Sequence, residues 1–121
     1  MASIRYLVKD VEGSVKFYSG LLGFEIKQQF GPAMAIVAKD DLNLWLAGPV
    51  SSAAKAMPDG SLPEPGGWNR FVIEVENLEN LVTKLKDNGI RFRNEVVKGP
   101  GGSQILCEDP SGNVIELFQA N

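Results

Sequence analysis

The chain states one structural plan twice. Ile4, Tyr6 and Val8 alternate with Ser3, Arg5 and Leu7, which predicts a strand over residues 3–9. Asp10 follows as an N-cap, and Val11, Val15, Tyr18 and Leu22 recur at helical spacing until Gly23 stops them. Residues 24–30 and 33–38 read as a hairpin around Gly31-Pro32, and LNLWLA at 42–47 as a further strand. The order then returns. Phe71, Ile73 and Val75 alternate with Arg70, Val72 and Glu74, and Asn77 is the cap for a stripe of Leu78, Leu81, Val82 and Leu85. Asn88-Gly89 closes that helix, and strands are predicted at about 90–97, 103–108 and 113–119. Laying residue 70 on residue 3 superposes Val75 on Val8, Glu79 on Glu12 and Val82 on Val15. Two such halves make an internal duplication whose period is far too long for a solenoid.

Gly48 to Gly67 separates the halves, with four prolines and four glycines and little periodicity, so it reads as a functional loop or a linker. The 121 residues suffice for one compact domain. Net charge is −3, and the twelve Lys and Arg are scattered, which argues against nucleic acid and against an anionic membrane surface as partners. No apolar run approaches the roughly 20 residues that span a bilayer. No export segment is evident, and Cys107 is the only cysteine, so a cytoplasmic location is expected. Histidine is absent altogether.

Two stretches, KDVEGSVKFYSGLLGFE at 9–25 and EDPSGNVIELFQ at 108–119, set in this order of elements, resemble the vicinal oxygen chelate superfamily. That group includes glyoxalase I, extradiol dioxygenases and the bleomycin-resistance proteins. The resemblance implies an α+β fold of two βαβββ modules, about 2–47 and 68–119, within a single domain 1–121. Their strands would curl into a concave, cup-like mixed sheet with helices on the convex side. It also implies a homodimer, since members commonly build the cup from two chains. Metalloenzymes of the group bind a divalent cation through the first and last strands of each half. On the register above, Ile4, Tyr6, Val8, Leu42, Leu44, Leu46, Phe71, Ile73, Val75, Ile115 and Leu117 should face the helices. The four ligand positions then fall at Ser3, Trp45, Arg70 and Glu116. Only Glu116 is of ligand type, because a guanidinium has no lone pair to give and an indole only an N–H. No metal and no other cofactor is therefore expected.

Glu116 stands alone as a charge among Val114, Ile115, Leu117 and Phe118. A carboxylate inside a partly dry hollow is costly to ionise alone, and a bidentate pair with Arg70 would offset that cost. The competing reading puts Glu116 in solvent at a strand edge. Trp45, Trp68, Arg70, Gln104, Glu116 and Phe118 are the candidate ligand-binding residues, with Phe30, Met34 and Met57 as further wall residues or simple core filling. KGPGGSQ at 98–104 lacks a following helix N-terminus and reads as a turn rather than a phosphate cradle. MPDG at 57–60 is most simply a turn. RFRN at 91–94 puts two arginines on one side of a strand, either a solvated face or an attractor for anions. Cys107 precedes Glu108 and Asp109 and reads as a small core residue, not a nucleophile. The function expected is metal-independent binding of a small, partly aromatic or polar molecule. The alternative is a lyase, isomerase or dioxygenase with an atypical metal site or with Glu116 as general base.

Overall fold

A computed structural model describes residues 2–121. The chain divides into two compact units, Met1–Gly66 and Gly67–Asn121. The first runs β1 (Ala2–Leu7), α1 (Val11–Leu21), β2 (Glu25–Phe30), β3 (Met34–Lys39) and β4 (Leu42–Ala47). Its sheet has the order β1-β4-β3-β2, with β1 parallel to β4 and the other pairs antiparallel. The second runs β5 (Phe71–Glu74), α2 (Leu78–Asp87), β6 (Val97–Lys98), β7 (Gly102–Glu108) and β8 (Val114–Ala120). Its order, β5-β8-β7-β6, repeats the first, and β5 is again parallel to β8. These are two βαβββ modules, as the sequence predicts.

Both helices begin where a short polar side chain can satisfy an orphan amide. The Asp10 carboxylate accepts from the Gly13 N–H at 3.2 Å, and Asn77 Oδ1 accepts from the Asn80 N–H at 3.1 Å. Each helix ends near a glycine in the left-handed region, Gly23 at φ 77° and Gly89 at φ 75°. The apolar parity holds as well. Leu44 and Leu46 are fully buried in the first sheet, as are Ile115 and Leu117 in the second. In the first module Phe17, Tyr18 and Phe24 add edge-to-face ring contacts at 4.9 and 5.4 Å between centroids.

The element predicted at 90–97 differs. Only Val97–Lys98 forms a regular strand, with one isolated bridge from Phe92 to Cys107. Arg93 N–H still donates to Leu106 O, and Glu108 N–H to Arg91 O, both at 2.9 Å. At the next rung beyond Arg93, the Leu106 N–H turns to Asn94 Oδ1, also at 2.9 Å. A side-chain acceptor has replaced a backbone one, which breaks the ladder where Asn can compete for it. The first strand also ends two residues early, at Leu7 rather than residue 9. The stretch after β4 has one short 3-10 turn, Ser52–Ala54.

Candidate functional site

Glu116 faces Arg70. In the second sheet Ile115 and Leu117 point to the core, which leaves Glu116 and Phe118 on the opposite face. Glu116 lies between Val72 of β5 and Leu106 of β7, and Phe118 lies between Glu74 and Gln104. Arg70, one residue before β5, brings Nε and Nη2 each to 3.0 Å from Glu116 Oε1. Two guanidinium nitrogens thus converge on one carboxylate oxygen, where the sequence suggests a bidentate pair. The side chains are 32% and 12% exposed, so the carboxylate is mostly out of water while the guanidinium keeps a wet edge. Arg70 Nη1 also donates to Trp68 O at 3.4 Å.

The register of β8 is set by the turn before it. Asp109 Oδ1 accepts from the Ser111 and Asn113 N–H groups at 2.8 and 2.9 Å, and Oδ2 accepts from Asn113 Nδ2 at 3.0 Å. This buried Asx turn fixes which face Glu116 takes, since a one-residue slip would reverse it.

Arg93 is a residue that the sequence misplaces. It is neither a solvated strand face nor a free attractor for anions. Its Nε donates to Glu108 Oε2 at 2.9 Å, Nη1 to Gly67 O at 2.6 Å and Nη2 to Gly112 O at 3.0 Å. Its guanidinium carbon also sits 4.5 Å from the ring centroid of Trp68. Trp68 is 67% exposed, with Arg93 over one face of the ring. The only signal in the sequence for this clamp is the presence of an acid, Glu108, across the expected hairpin.

In the first sheet Trp45 is half-buried between fully buried Leu44 and Leu46, so it takes the face away from the core. Its strand neighbours are Arg5 and Ile36. The Arg5 guanidinium lies 5.0 Å from the Trp45 ring centroid. Phe30 pairs with Met34 farther along that sheet, and Met57 is exposed in the stretch after β4. Of the six candidate residues, Arg70, Gln104, Glu116 and Phe118 therefore gather on one face of the second sheet. Trp68 adjoins them through Arg70, and Trp45 belongs to the first unit. At the four positions where the resemblance places metal ligands, Glu116 alone is a donor, and its Oε1 is taken by Arg70. Among the described residues no group of three or more Cys, Asp or Glu is arranged to hold a metal ion.

Cys107 is fully buried, and its thiol pKa is pushed up to about 12 by desolvation first, then by Asp109 and Glu108. The folded state thus favours the neutral thiol. Because an unfolded chain ionises near the ordinary thiol value of 9.0, this contribution to stability is lost as pH rises through the range from about 9 to about 12. At a given pH the buried site therefore holds far fewer thiolates than an exposed cysteine would. Iodoacetamide at pH 8 is expected to alkylate Cys107 readily in urea and at least ~100-fold more slowly in the folded protein. Equal rates would show that Cys107 is open to solvent.

Residues 1–117 match the family model described as the Glyoxalase/Bleomycin resistance protein/Dioxygenase superfamily. The chain is 29% identical over 122 residues to "Methylmalonyl-CoA epimerase, mitochondrial" of Bos taurus, covering 93% of this chain and 70% of that protein. Among solved structures it resembles a member of the same superfamily from Sphaerobacter thermophilus DSM 20745, with a TM-score of 0.78 and 25% identity over 98% of this chain and 95% of that one. It also resembles TnmS3, an antibiotic binding protein from Streptomyces sp. CB03234, with a TM-score of 0.74 and 25% identity over 98% and 93% of the two chains.

Proposed function

This chain belongs to the Glyoxalase/Bleomycin resistance protein/Dioxygenase superfamily, and we propose that it binds a small, partly aromatic or polar molecule without a metal. The observation that carries this reading is the Arg70–Glu116 pair. A fixed positive charge sits 3.0 Å from Glu116, the one residue of ligand type among the four positions that the resemblance singles out, in the electrostatic role that a cation would otherwise fill. Around it Gln104 supplies an amide, and Phe118 and Trp68 supply aromatic surface, the mixture of apolar wall and few polar groups usual in small-molecule sites. On the first unit, considered by itself, Trp45 with Arg5 against its ring offers a flat surface of its own. The likeness to an antibiotic binding protein supports the same class of function.

The likeness to an epimerase favours a second reading, an isomerase or related enzyme with Glu116 as base. Proton abstraction at Oε1 would first have to break its contacts with Arg70, which weighs against that reading. Elemental analysis of protein purified without chelator separates the two readings from any metal-dependent one. Metal well below one equivalent is expected, together with a rise in Tm on adding planar aromatic compounds in a thermal-shift screen. Stoichiometric nickel, zinc, manganese or iron would overturn the proposal.

A further inference from the structure

A groove of about 400 Å³ runs along α2 on the helix side of the second sheet, away from the face of Glu116. Its floor is apolar, made by buried Leu78 and Val82 and by exposed Val96. The duplication explains why it exists. The strand registers align Leu44 with Ile115, and hence Gly48 with Gln119. In the first module this place is closed. Gly48 N–H donates to Ala33 O at 2.8 Å, and a Cβ on Gly48 would lie 2.8 Å from Val11 Cγ2, at the first residue of α1. In the second module a whole side chain stands there. Gln119 Oε1 accepts from the N–H of Leu78, the first residue of α2, at 2.7 Å, and Gln119 itself lines the groove. A glutamine thus holds the helix start where a glycine lets it press against the hairpin.

We propose that this groove binds a small amphipathic carboxylate, with its head at Lys98 and Ser103 and its apolar body over Val96 and Val82. Lys98 and Ser103 are direct partners across β6 and β7, and both line the groove, so an ammonium and a hydroxyl donor stand side by side. Lys86 lines it as well, with its ammonium 5.6 Å from the Phe92 ring centroid rather than on an acid. Among the described residues neither lysine forms an ion pair. Glu79 is the one acid in the lining, which leaves an excess of positive charge. That charge selects an anion over a cation, and the valine and leucine floor selects against a small hydrated one. The volume falls in the range of about 300–1,000 Å³ typical of small-molecule pockets. This site is independent of the ligand proposed for the opposite face.

The test is a titration of isotope-labelled protein with octanoate, read by amide chemical shifts. Saturable shifts are expected at Val82, Thr83, Val96 and Ser103. A charge-assisted contact is worth roughly tenfold or more in affinity, so 1-octanol, and octanoate with Lys98→Met, should each bind at least ~10-fold more weakly. Lys55→Met, a change in the other unit, should leave octanoate binding unchanged. The proposal is overturned if octanoate gives no saturable shifts, or if 1-octanol or the Lys98→Met protein binds equally well. Shifts confined to Val72, Gln104 and Phe118 would also overturn it, and would point to the Glu116 face instead.

Discussion

Replacing Arg93 by alanine is expected to destabilise the protein by about 3 kcal/mol, at the lower edge of the cost of breaking a buried ion pair from one side. Arg93 and Glu108 are each only 16% exposed, so the abandoned carboxylate cannot recover its hydration in full. The same guanidinium donates to Gly67 O, at the start of the second unit, and to Gly112 O, in the turn before β8. It therefore joins three separate stretches of chain, and two carbonyls lose a donor along with the acid. Arg93→Lys should rescue little, because one ammonium on a flexible stem cannot point in three fixed directions at once. Urea unfolding measures this directly, as a lower midpoint at an unchanged m-value. A loss within about 0.5 kcal/mol, as for an ordinary surface substitution, would show that the clamp is not holding the module together.

That residue also marks where the sequence stops being readable. Strand parity, helix caps and glycine stops are local signals. Asp10, Asn77, Gly23 and Gly89 each act within a few residues of where they stand, and each acts as expected. Parity likewise placed Trp45 and Glu116 opposite the core, because a strand half-buried on one face has a strict period of two. Arg93 obeys none of these rules. Its partners lie 15, 19 and 26 residues away, and two of them are backbone carbonyls that any residue could supply. The shortened β6 has a similar origin. Val96 and Val97 have strong strand propensity, but Asn94 offers Leu106 a side-chain acceptor, and propensity does not register that competition. The groove beside α2 is legible only by comparing the halves. Gly48 and Gln119 look unremarkable until the matching registers, β1 on β4 in one module and β5 on β8 in the other, make them equivalent positions.

The Arg70–Glu116 pair should show an asymmetry that tells whether it serves folding or binding. Arg70→Met leaves a carboxylate only 12% exposed without its partner, and is expected to cost about 2 kcal/mol, discounted from the fully buried case because Arg70 keeps a wet edge. Glu116→Leu leaves a guanidinium that is 32% exposed and can turn toward solvent, so about 1 kcal/mol is expected. Val72 and Leu106 flank Glu116, and Phe118 lies one step along its face, so apolar replacements have apolar neighbours. The double variant should thus regain most of the loss and lie within about 1 kcal/mol of the parent, since a buried pair replaced by apolar residues is often neutral. Strictly additive losses would mean that the two side chains do not act on each other, and would remove the basis for assigning the pair a cation's role. If the double variant instead folds as well as the parent but no longer gains Tm from planar ligands, the two charges contribute little to stability and much to recognition. That result would place the ion pair among the groups that touch the ligand, which is where a residue costly to bury and cheap to replace is best accounted for.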